Sequence, residues 1–109
     1  MSKIIDLMKL RLELVAEFAY YKYMHNIPVE DRCIELNLEN IFMLTAKNCS
    51  VDLERAKLFL YDHFKKSKEV QYKQFEYFRL GGVVNLRYSL EEYRKHLQNL
   101  LIQMVYELK

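Results

Sequence analysis

The segment Glu69–Tyr88, EVQYKQFEYFRLGGVVNLRY, carries the only two glycines of the chain side by side, at Gly81 and Gly82. Two conformations compete for it. Wound as a helix at about 100° per residue, Val70, Tyr72, Phe75, Tyr77, Phe78 and Leu80 scatter around the whole circumference and leave no single face to bury. Its aromatic and β-branched content favours a strand. With Gly81 and Gly82 as a two-residue turn of the primed type, Phe75, Tyr77, Val84, Leu86 and Tyr88 fall on one face and Glu76 opposes Arg87 on the other. The competing reading ends a helix at Leu80 with Gly81 in left-handed geometry. The hairpin sorts more residues at once, so the expectation is a β-hairpin over about 70–88.

The residues before the hairpin read as three helices. Over 2–24, Ile4, Met8, Leu12, Val15 and Ala19 form one apolar stripe and Leu7, Leu14, Phe18 and Tyr21 a second, so this helix needs cover on two sides. Pro28 breaks it and suits the first turn of the next helix, about Val29 to Ala46. "KNCS" (47–50) reads as a turn, with Asn48 able to take left-handed geometry and Ser50 suited as an N-cap. Residues 51–66 then form a third helix whose buried side carries Leu53, Ala56, Leu60 and Phe64. Beyond the hairpin, Ser89 and Glu92 have the spacing of a capping box, which starts the last helix near Leu90. Its stripe of Tyr93, Leu97, Leu100 and Met104 suits either a core face or a two-fold dimer interface.

The fold class expected is therefore α+β and mostly helical, a single domain over 1–109. With 51% hydrophobic and 29% charged residues and no low-complexity tract, the whole chain should fold. Lys3, Asp6, Lys9, Arg11 and Glu13 interrupt the N-terminal apolar run, so neither a signal peptide nor a membrane span is expected and a cytoplasmic protein is the default. Cys33 and Cys49 lack partners at metal-ligand spacing, and no metal or cofactor is expected. His25, His63 and His96 stand alone and read as surface or core histidines; the sequence offers no catalytic constellation.

A nucleic-acid surface has more support, although the net charge is only +2. Arg55, Tyr61 and Lys65 lie opposite the core stripe of helix three, Lys66 and Lys73 follow, and Arg79 and Arg87 flank the glycines. The order helix, turn, helix, Gly-Gly hairpin, then "YSLEEYRKHL" (88–97) resembles winged-helix transcriptional regulators of the MarR and PadR kind over roughly 36–109. That resemblance implies a homodimer that binds double-stranded DNA and represses transcription, joined through Tyr93, Leu97, Leu100 and Met104. Arg55, Tyr61 and Lys65 would read the major groove, and Lys66, Lys73, Arg79 and Arg87 would hold phosphates. The rival expectation is a small helical inhibitor or immunity factor that binds another protein through the aromatic stretch "FAYYKYMH" (18–25).

Overall fold

A computed structural model describes residues 2–109 and contains four helices: α1 (Lys3–Met24), α2 (Arg32–Asn48), α3 (Leu53–Arg79) and α4 (Leu90–Glu107). Among the described residues there is no strand, so the expected hairpin, and with it the winged helix, is absent. Residues 69–79 instead continue α3. The reason lies in what this part of the helix meets. Phe75 and Phe78, one turn apart, pack on Tyr23 and Tyr20 of α1 with ring centroids 5.6 and 4.9 Å apart. Tyr72 and Tyr77 are half exposed, so the apolar residues that circle the helix are not all core residues.

The two glycines end α3, each for its own reason. Gly81 takes φ +98°, its N–H donates to the Phe78 carbonyl at 3.0 Å, and the Gly82 N–H donates to the Tyr77 carbonyl at 2.9 Å. A left-handed residue thus turns the chain back onto two carbonyls that the helix leaves unpaired. At Gly82 the ring of Tyr77 lies over the position a Cβ would take, so a larger residue there would make that half-exposed ring swing aside.

The same device ends α1 and α2 without glycine. Asn26 (φ 55°) and Ser50 (φ 58°) are left-handed, and the following N–H groups of Ile27 and Val51 donate to Lys22 and Ala46 at 2.8 and 2.9 Å. Ser50 is therefore the turn residue rather than an N-cap, and Asn48 is still helical. Asp52 caps α3, its Oδ1 accepting from Glu54 and Arg55 N–H. Pro28 lies in the connection before Asp31, which caps α2. The capping box of Ser89 and Glu92 starts α4 as its spacing predicts.

In the bundle α1 and α2 each pack against both α3 and α4, which places α1 across from α2 and α3 across from α4. Phe42, Ala46, Leu60, Leu101, Met104 and Val105 are almost fully buried at the centre. Tyr93, Leu97, Leu100 and Met104 belong to this core, so the stripe expected to join two subunits is covered within the chain itself. The connection between α3 and α4 is strapped to α1: Tyr21 donates to the Tyr88 carbonyl at 3.0 Å, and Arg87 pairs with Glu17 at 2.7 Å. Arg87 thus meets Glu17 and not Glu76, whose partner is Arg79.

Candidate functional site: a cationic cavity between the helices

The buried side of α3 runs through Ala56, Leu60, His63, Ser67, Gln71 and Phe78, a regular helical stripe whose middle is polar. On α1 the corresponding stripe includes Leu7, Arg11 and Leu14, with Arg11 only 3% exposed. Buried polar side chains at stripe positions mark a place where packing is not the only requirement. Arg11, Ser67 and Gln71 border a cavity of about 340 Å³ lined from all four helices and the α1–α2 connection. Val15, Phe18, Leu38, Phe64 and Leu97 supply apolar wall; Arg11, Lys22, Lys68 and Arg94 face two acids, Asp31 and Glu35.

Hydrogen bonds fix most of these groups. Arg11 Nε donates to the Leu97 carbonyl at 2.9 Å, and its Nη1 lies 3.0 Å from His63 Nε2. Lys22 Nζ donates to Gln71 Oε1 at 2.8 Å and to the Val29 carbonyl at 3.1 Å. Gln71 Nε2 in turn donates to the carbonyl and the hydroxyl of Ser67, both at 3.3 Å. Lys68, also in the lining, pairs with Glu35 at 2.7 Å and Glu30 at 3.5 Å.

The electrostatics are one-sided. Burial lowers the Arg11 guanidinium to about 10, which leaves it charged at neutral pH. Lys22 is also lowered, first by burial, with Asp31 and Glu35 opposing and Arg94 and Arg11 adding to the shift. Among the described residues no carboxylate lies within 4.0 Å of Arg11, Lys22 or Arg94. No family model, curated protein or solved structure matches the chain.

The cavity lining supplies cations and amide donors together with the carboxylates of Asp31 and Glu35. His63 is pushed down to about 3 by burial and then by the Arg11 charge, so it stays neutral and a poor base. Asp31 accepts from the Ile34 N–H, and Glu35 is tied to Lys68. The Ser67 hydroxyl adjoins an amide and no base. Among the described residues no group of three His, Cys, Asp or Glu side chains is placed to hold a metal, and no helix is long and apolar enough to cross a membrane.

The residues expected to contact DNA are strung along α3 and the connection that follows it. From Arg55 to Arg79 α3 advances about 36 Å. Arg55 Nη1 donates to the Leu108 carbonyl at 3.0 Å and closes the end of α4. Tyr61 donates to Glu39 at 2.5 Å, Lys66 pairs with Asp62 at 3.1 Å, and Arg79 and Arg87 pair with Glu76 and Glu17. Lys65 and Lys73 are exposed. None of the seven borders the cavity. The aromatic stretch 18–25 is largely occupied inside the chain: Phe18, Tyr20, Tyr21 and Tyr23 each meet another ring, and only Met24 and His25 are exposed.

Arg11, Lys22, Asp31, Glu35, Ser67, Gln71 and Arg94 were missed by sequence reasoning. A signal was present. Arg11 falls at the α1 stripe position between Leu7 and Leu14, where a charge needs a reason, and His63, Ser67 and Gln71 occupy the same row as Leu60.

Proposed function

We propose that this chain binds a small dicarboxylate with an apolar, ring-sized body in the cavity and promotes a unimolecular rearrangement of it. The observation that carries the reading is Arg11: a guanidinium buried on the stripe of a helix, bordering a cavity, without a carboxylate partner. A buried charge in that state is strongly disfavoured unless an anion completes it. Lys22 and Arg94 add charge of the same sign on the same cavity. Arg11 and Lys22 stand three turns apart on α1, about 16 Å along its axis, so even with their side chains converging they favour a ligand with two separated carboxylates. The apolar walls suit a ring between them.

The reaction class follows from what the lining supplies. Hydrogen-bond donors and cations are present; a nucleophile beside a base is not. Such a site accelerates a reaction by holding one conformer and by stabilising charge on an oxygen. An allyl enol ether carried on a ring meets both conditions: within one molecule the allylic C–O bond breaks as a C–C bond forms between the two ends, the enol C–O becomes a carbonyl, no proton moves, and the oxygen carries partial negative charge in the transition state. With the remaining N–H of Lys22 on a carboxylate and the Gln71 amide directed at Ser67, the guanidinium of Arg94, also in the lining, is the donor for that oxygen. The test is calorimetric titration with isophthalate and benzoate, with conversion of chorismate, a dicarboxylate whose carbocyclic ring bears an allyl enol ether, followed by proton NMR. Isophthalate should bind more tightly than benzoate, and chorismate should rearrange faster than in buffer alone; both effects should fall in Arg11→Met and Lys22→Met. No binding of either carboxylate would overturn the cavity reading, and binding without conversion would remove the rearrangement.

A further inference from the structure

His63 lies behind Arg11, away from the cavity lining, and it is fully buried. We propose that His63 is a positioning residue: its Nε2 holds the Arg11 guanidinium so that the unused Nη2 edge faces the ligand. The proposal rests on the cavity reading, which supplies the ligand. Arg11 extends from α1 and is fixed at two points on two other helices, the Leu97 carbonyl of α4 at 2.9 Å and His63 Nε2 of α3 at 3.0 Å. Two anchors determine the plane of a guanidinium, and one does not.

The imidazole is held in turn. It stacks on Phe59 with an interplanar angle of 3°, and Phe59 stacks on Phe42 at 11°, so a column of three rings sets its plane. Because arginine only donates, Nε2 must be the acceptor and Nδ1 must carry the proton. That Nδ1 has no partner. A buried donor without an acceptor is destabilising, and a leucine at this position would avoid it. What histidine adds that leucine lacks is the acceptor for Arg11. Burial keeps the ring neutral, as an acceptor must be.

The test uses the whole chain. Isophthalate affinity should fall about tenfold in His63→Leu, the loss of one well-aligned charged contact. In His63→Gln, whose Oε1 accepts where Nε2 did, it should return to within about threefold. Unchanged affinity in His63→Leu, or no recovery in His63→Gln, overturns the proposal. Nitrogen-15 NMR of the unsubstituted protein at pH 7 supplies a readout that needs neither a variant nor a ligand. A neutral ring protonated at Nδ1 supports the assignment, and protonation at Nε2 overturns it. If isophthalate does not bind the unsubstituted protein, the cavity reading fails while the tautomer still decides the geometry.

Discussion

Replacing Arg11 and His63 singly and together should give strongly non-additive stability changes. Arg11→Met removes two hydrogen bonds from a charged donor, each worth about 1.5–3 kcal/mol net. Against this it releases the unfavourable burial of the guanidinium, about 3 kcal/mol by the lowering from 12.5 to about 10. It also leaves His63 with both ring nitrogens buried and unpaired, at about 1–3 kcal/mol for the newly orphaned Nε2. The single variant should therefore be less stable by about 1–6 kcal/mol. His63→Leu removes the orphaned Nδ1 but strands an Arg11 N–H, so it should lie within about 2 kcal/mol of the parent. In Arg11→Met/His63→Leu neither orphan remains and an apolar pair fills the space. Its stability should match or exceed the parent, with a coupling of about 1–3 kcal/mol. Urea denaturation followed by far-UV circular dichroism at pH 7 measures all four. Simple addition of the two single effects would refute the reasoning, because it would mean that Arg11 and His63 do not depend on each other.

The pH dependence should be visible in the same assay. His63 titrates near 6.5 when unfolded and near 3 when folded. The unfolded chain therefore takes up more protons below pH 6.5, and stability falls as pH drops, by about 1.4 kcal/mol per pH unit between about pH 6 and 4. His63→Leu should lack this component, and equal slopes for the two proteins between pH 6 and 5 would exclude it. Ser50→Gly should raise stability by about 0.5–1 kcal/mol, since it removes a left-handed serine at φ 58° from a helix end that suits glycine; a lower thermal midpoint would contradict the helix ending described. Gly81→Ala should cost about 1 kcal/mol through its φ of +98° alone, because nothing lies within 4 Å of the added methyl. Unchanged stability there would mean that the α3 end does not need left-handed geometry.

The helical parts of the fold were legible where local chemistry decides them. The Ser89–Glu92 box places the start of α4, and the stripes of α1 and α4 follow from spacing alone. Residues 69–80 misled for a specific reason. Hydrophobic periodicity assumes that buried positions are apolar, yet the buried row of α3 passes from Ser67 into Gln71 at this point, while Tyr72 and Tyr77 sit half exposed. The pattern that marks a helix was therefore reversed where the cavity is built. The partner that stabilises this stretch, the Tyr20 and Tyr23 pair of α1, is about fifty residues away and left no local signal. The cavity itself was hidden likewise, because Arg11 and Lys22 read as ordinary surface charges until α3 is laid against α1.

The length of α3 links these two failures. Along its buried row the helix passes through a dry zone at Ala56 and Leu60, a polar zone at His63, Ser67 and Gln71, and an aromatic zone at Phe78. The first zone packs into the central core and the last closes on α1 through Tyr20 and Tyr23. Each flanking zone buries apolar surface, which stabilises by about 25 cal/mol per Å², while the middle zone contributes little and carries an orphaned nitrogen. A strand beginning near Val70 would remove Gln71 from Lys22 and strip the polar zone of its far support. The α3 continuation through Arg79 and the two-glycine stop that follows it are thus what hold Ser67 and Gln71 against Arg11 and Lys22. The stretch that decides the fold also keeps the cavity in one piece.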